Sequence, residues 1–192
     1  MGLRINELPE NLSEYLTTPI AAELAFDKDD LKKVMNTLNS EELTKKYVEV
    51  GDNENCHDAK FTLSVIPYDD EHAWLYGKLY DLALEGNEQT YMFENIEMFE
   101  QIVYMELNEG NYVNFHLDVG SEYPQNTRKI TAIVILNESD DYRGGQVNIN
   151  VGKNITLSRN AGDVFFFPSY LQNEIGIVHS GAKKILVAWF GC

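Results

Sequence analysis

The feature that most constrains the fold is a change of period. From about Phe99 onward apolar residues recur at every second position, the repeat of a strand with one face buried. Ile102 and Tyr104 alternate with Val103, Met105 and Leu107. Glu109-Gly110-Asn111 marks a turn, and the next strand is predicted over 112–118. Residues 128–136 are almost continuously apolar and β-branched, the pattern of a central strand buried on both faces. Shorter strands are predicted over 146–151, 155–157 and 164–167, after a loop over 137–145. The last two fall over 173–178 and 183–190, joined through Ser180-Gly181. Short strands at this spacing, separated by turn residues, indicate a sandwich or barrel. Eight of them following two helices predict a mainly β fold with N-terminal helices: a jelly-roll, or double-stranded β-helix.

The first half of the chain supplies the support. A strand is predicted over 20–26 and a helix over 27–38, where Leu31, Val34, Met35 and Leu38 form one apolar stripe. Short strands are predicted at 47–50 and 61–66, with a surface loop at 52–55 between them. A second helix spans 69–85, with Leu75, Leu79 and Leu82 inward, Trp74 and Tyr76 wedged against a sheet, and Gly86-Asn87 as the stop. His72, near its start, reads as a surface residue. No linker or composition break divides the chain, so a single domain is expected over 1–192. Residues 1–98 are its helical and mixed support and 99–192 its jelly-roll core. Residues 1–60 are assigned to packing or to a partner contact.

Composition narrows the function. The 192 residues carry 15 basic and 31 acidic side chains, a net charge of −16. Such a field repels phosphate backbones and disfavours general nucleic-acid binding. It suits a solvated surface or a basic protein partner. No run is apolar enough to span a bilayer. The opening residues lack an apolar secretory core, and Asn6 stands where a myristoylation motif has Ser or Thr. The expected location is cytoplasmic, or a particle assembled there. Cys56 and Cys192 form neither a zinc spacing nor a disulfide framework.

The chemistry begins at His116-Leu117-Asp118. In a strand, residues two apart share a face, so an imidazole and a carboxylate converge. That is two-thirds of the 2-His-1-carboxylate triad that holds non-haem iron(II). The triplet by itself is a weak signal, and a third ligand and a co-substrate anchor must be found elsewhere.

The surrounding pieces make the pattern specific. They are Trp74-Leu75, Gly86-Asn87-Glu88-Gln89, Phe115-His116-Leu117-Asp118 and Thr127-Arg128-Lys129-Ile130. They continue with Asp141-Tyr142-Arg143-Gly144-Gly145-Gln146, Gly162-Asp163, Phe167-Pro168-Ser169, Gly181 and Trp189. In this order and spacing the chain resembles the 2-oxoglutarate/iron(II) oxygenases of the prolyl 4-hydroxylase type, in a branch common in marine bacteria and their tailed phages. The resemblance implies the jelly-roll, iron(II) and 2-oxoglutarate as cofactors, and a metal held by His116, Asp118 and a late histidine. A basic residue ten positions beyond that histidine would anchor the keto acid.

Aligned on Phe167-Pro168-Ser169 and Gly181, the late histidine falls on Asn173, and Lys183 keeps the anchor position. Asn offers only a neutral amide oxygen. His179 lies six residues further on, roughly 20 Å in extended chain, too far for a local slip. Val113 replaces a tyrosine, Ile185 a serine and Ile177 a proline of the family pattern. These departures, taken together around one pocket, predict a degenerate metal triad. The expected function is an oxygenase-fold protein with lost or weakened catalysis, acting as an interaction or structural module, for example in virion assembly. The alternative is an active hydroxylase on a protein or small molecule. In that case Asn173 or water completes the metal site and Lys183 binds 2-oxoglutarate.

Overall fold

The computed structural model describes residues 17–39, 43–50, 58–98 and 100–192. Cys56 and the loop predicted at 52–55 lie outside them, and Cys192 is exposed. The strands are β1 (Ile20–Ala22), β2 (Lys46–Val50), β3 (Ala59–Val65), β4 (Val103–Asn108), β5 (Tyr112–His116) and β6 (Arg128–Ile135). They continue with β7 (Tyr142–Gly144), β8 (Val147–Asn150), β9 (Asn154–Thr156), β10 (Val164–Pro168), β11 (Gln172–Ile175) and β12 (Val178–Gly191). The helices are α1 (Lys28–Leu38) and α2 (Ala73–Gly86).

Hydrogen bonding runs β1-β10-β6-β12-β4-β3-β5-β11-β8-β9, with β2 added to β3 and β7 to β12. The sheet curls into two layers. One holds β10, β6, β12 and β4; the other holds β5, β11, β8 and β9. Strand β3 joins them, pairing with β4 through Thr62 to Val65 and with β5 through Ala59 and Lys60. This is the predicted double-stranded β-helix. Three strands from the first half of the chain, β1 to β3, extend it.

The continuous apolar runs arise because the larger layer is buried on both faces. From β6, Ile130, Ala132 and Val134 pack under the helices, while Ile133 and Ile135 face the barrel interior. From β12, Leu186, Ala188 and Phe190 take the helical side, and Ile185, Val187 and Trp189 the interior. At about 25 cal/mol per Å² of buried apolar surface, these alternating rows hold helices and barrel together.

Helix α1 begins at Asp27, whose carboxylate accepts from the Asp29 and Asp30 amides, while Asp30 reaches back to the Asp27 amide. Such a capping box satisfies amides that the first turn leaves unpaired. Helix α2 departs from expectation at both ends. His72 precedes it, is buried, and places Nδ1 2.7 Å from Asp69; it is not a surface residue. Gly86-Asn87 does not stop the helix, which continues as a wider π turn through Asn87–Tyr91. The Asn87 amide donates to the Phe93 carbonyl and its oxygen accepts from the Phe93 amide, both at 2.9 Å. Chain reversal comes at Met92, with φ 54°. Of the two aromatic residues, Tyr76 meets the sheet: its hydroxyl donates to the Ile66 carbonyl and accepts from the Ile102 amide. Trp74 instead faces α1, under Lys33.

The predicted loop over 137–145 contains β7, paired with β12. Strand β12 begins at Val178, so the predicted Ser180-Gly181 join lies inside it. Gly181 is required there: φ is 75°, and a Cβ would stand 2.1 Å from the Asp141 carbonyl oxygen. Asp163 of the Gly162-Asp163 pair is a fold residue. It is buried and accepts from the Leu24 amide, Asn160 and Ser158.

Candidate active site

Strand β5 ends at His116 because the next ladder position is given up. The Asp118 amide donates to the Ser169 carbonyl in the loop after β10. The carboxylate is thereby turned into the barrel mouth beside β11, where Asn173 pairs directly with His116. The structure therefore brings His116, Asp118 and Asn173 together, as the alignment placed them.

Asp118 is the hub. Its Oδ1 accepts from Trp189 Nε1 at 3.0 Å. Its Oδ2 accepts from Thr131 Oγ1 and from Asn173 Nδ2, each at 3.0 Å. His116 Nε2 stands 3.7 Å from Oδ1, and Nδ1 is 3.0 Å from the Asn114 carbonyl oxygen. Arg128 closes the back: it donates to the Asp118 carbonyl at 2.8 Å, pairs with Glu100 through two nitrogens, and lies 3.9 Å over the Trp189 ring.

Burial pushes the Asp118 carboxyl up, but His116, Trp189 and Thr131 outweigh it and hold its pKa below the usual value. Burial likewise opposes charge on His116; Asp118 and the Asn114 and Asn173 carbonyls outweigh that and raise its pKa. The two therefore favour the imidazolium–carboxylate form. An imidazolium donates from both ring nitrogens.

Beside this cluster lies a cavity of about 320 Å³, lined mostly by apolar side chains, Val113 and Val187 among them. Lys183 does not line it. Successive inward residues of β12 explain why. Trp189 and Val187 line the cavity, Ile185 comes next and is fully buried, and Lys183 stands beyond. The ammonium of Lys183 donates to the Tyr142 hydroxyl at 3.0 Å and lies 4.9 Å from that ring. Burial, with Arg159 nearby, pushes its pKa down to about 7.

As donors for iron(II) and 2-oxoglutarate these residues fit poorly. Asn173 turns an N–H toward Asp118 where the family pattern has an imidazole nitrogen. Asp118 already accepts three hydrogen bonds from protein donors, and Ile185 stands between Lys183 and the cavity. Among the described residues, no three His, Cys, Asp or Glu side chains gather around one point. Of the substitutions read as surrounding one pocket, Val113 lines the cavity and Ile185 is buried behind it, between the cavity and Lys183. Ile177 does neither: it is half exposed and away from the cavity lining. His179 is exposed beside β7 and is no substitute ligand.

Thr131, Ser169, Trp189 and Arg128 hold the cluster in place, and sequence reading assigned none of them a role there. Thr131 had a signal: it is the one hydroxyl in the run Ile130 to Leu136.

Comparison with known proteins agrees with this architecture. Residues 101–191 match the sequence profile of the 2OG-Fe(II) oxygenase superfamily. A PKHD-type hydroxylase from Colwellia psychrerythraea is 31% identical over 61 residues, 31% of this chain and 27% of that protein. The match thus spans about a quarter of that relative's length. An oxidoreductase of the 2OG-Fe(II) oxygenase family from Burkholderia pseudomallei superposes with a TM-score of 0.69 at 16% identity, covering 98% of this chain and 93% of that one. A Pseudomonas putida prolyl-4-hydroxylase gives a TM-score of 0.64 at 16% identity, covering 94% and 96%. Likeness at this identity speaks for the fold. No helix among the described residues is long and apolar enough to cross a membrane.

Proposed function

Taking as premise that this chain belongs to the 2OG-Fe(II) oxygenase superfamily through residues 101–191, with a fold of the prolyl-hydroxylase type, we propose that it uses the jelly-roll as a non-catalytic binding module. One observation carries the reading. The Asn173 amide donates to Asp118 at 3.0 Å from the place of the third metal ligand. A donor N–H there satisfies the carboxylate within the protein, and the neutral amide oxygen that remains is a poorer donor to a cation than imidazole. The buried Lys183 supports the same reading, since Ile185 removes it from the cavity. The net charge of −16 favours a basic protein partner, and virion assembly is one setting in which such a module serves.

The second reading is an active iron(II)/2-oxoglutarate hydroxylase. It draws on the cavity beside His116 and Asp118, with Asn173 or water as third ligand and Lys183 as anchor. An anaerobic titration with iron(II) and 2-oxoglutarate separates the two. The expected result is no visible charge-transfer band and no retained metal. A saturable band that Lys183→Ala abolishes would sink the non-catalytic reading. Asn173→His combined with Ile185→Ser is expected to gain iron binding, since together they restore the imidazole and clear the path to Lys183. Failure of that folded variant to bind iron would count against the alignment of Asn173.

A further inference from the structure

The cavity of about 320 Å³ is bounded by Phe61 and Leu63 of β3, Val103 and Met105 of β4, Ile133 of β6 and Val187 of β12. Phe61, Leu63, Val103 and Met105 are only partly buried, so the space opens along the inner face of the paired strands β3 and β4. An engineered apolar cavity of about 150 Å³ takes up benzene. By that measure this one holds a molecule of about a dozen non-hydrogen atoms. Water in such a space finds few hydrogen-bond partners, and its replacement by an apolar group is favourable.

The polar end decides the charge of the occupant. His116 balances the charge of Asp118, so this end offers an anion no uncompensated cation. The buried cation, Lys183, lies behind Ile185 and faces Tyr142. A dianion would leave water for a place with a carboxylate close by and no ammonium lining it. Hydrogen-bonding capacity does exist. Asn173 has two amide protons and an oxygen, and one proton goes to Asp118. The Thr131 hydroxyl, shared with Asp118 and Ser169, stands beside it.

We propose that this cavity binds a neutral, largely apolar small molecule carrying one polar tip, with the tip at Asn173 and Thr131. The inference rests on the non-catalytic reading and names what such a module would hold. It replaces the anionic keto acid of the family with an uncharged occupant, for which Val113, Ile133, Ile175 and Val187 supply the contact surface.

2-Naphthol has the required size and a single hydroxyl, and is the probe for calorimetric titration of the full chain. One saturable site is expected. Met105→Trp at the mouth and Val187→Phe within should each weaken binding by about tenfold or more, because each fills the space. Circular dichroism verifies that both variants fold, and Met105 tolerates change best because it is partly exposed. Naphthalene-2-sulfonate, the same rings with an anionic group in place of the hydroxyl, is expected not to bind. Absence of saturable binding to the folded protein overturns the inference. So does binding that both folded variants leave unchanged, or equal binding of the sulfonate. None of these outcomes touches the non-catalytic reading. That reading fails only if iron(II) and 2-oxoglutarate form the band described above.

Discussion

At one end of the barrel interior Asp118 accepts hydrogen bonds from Trp189, Thr131 and Asn173, with His116 beside it. At the other, Lys183 gives one hydrogen bond, to a neutral phenol. Both charges are buried, yet the protein treats them oppositely. Around Asp118 the donors outweigh desolvation and keep the carboxylate ionised. Around Lys183 desolvation prevails and its pKa sinks to about 7. Burial alone does not decide the state of a charge; the number of partners aimed at it does. In the family pattern the two ends are served by one keto acid. Here Ile185 parts them, and each must be stable by itself.

The largest break in this comparison is expected from Asp118→Ala. It leaves Trp189, Thr131 and Asn173 without their common acceptor and His116 without its counter-charge. The expected loss is about 3–5 kcal/mol, read from urea unfolding. A loss below about 1 kcal/mol would mean that the hub contributes little.

The opposite sign is expected at the other end. Lys183 has a folded pKa of about 7 against an ordinary 10.5. Between those values the unfolded chain binds more protons, so stability rises with pH across that window, and the burial penalty is greatest below it. Lys183→Met nearly conserves volume and is expected to raise stability by about 2–3 kcal/mol at pH 6. The gain should shrink toward zero near pH 10. A destabilised variant at pH 6 would show that the Tyr142 contact outweighs desolvation.

A smaller effect sharpens the contrast. The Asp118 pKa lies below its ordinary 3.8, and the His116 pKa above its ordinary 6.5. The carboxylate contribution is present above the unfolded Asp value and lost as pH falls through the depressed folded value. The imidazolium contribution is present below the unfolded His value and lost as pH rises through the raised folded value. Between roughly pH 4 and 6.5 both are in place. His116→Gln is expected to flatten the upper limb, measured as unfolding free energy at pH 5.5 and 8.5. An unchanged slope would remove His116 as its source.

Much of this was legible in the chain. The run Ile130 to Leu136 announced a doubly buried strand, and it is β6. Local spacing placed His116 and Asp118 together, and the fixed points around Phe167-Pro168-Ser169 placed Asn173 opposite them. What stayed hidden was orientation. Ile177 reads like a pocket residue but faces solvent, and His72 reads like a surface residue but is buried on Asp69. Strand β7 hid in a loop because three residues carry too little periodicity to be seen. The Ser180-Gly181 join was a plausible turn by composition, yet the chain passes through it as one strand.

The alternation of apolar side chains is a local property, so the sequence by itself determined a jelly-roll under two helices, with a histidine and a carboxylate on one face. Which atom of Asn173 meets Asp118, and what lies between Lys183 and the cavity, depend on strands far apart in the chain. Residue 173 meets residue 118 only after β11 pairs with β5, and Ile185 closes the way to Lys183 only because β4 and β6 flank it, through Met105 and Ile135. These are relations between distant segments, set by packing and register, and only the tertiary structure decided them.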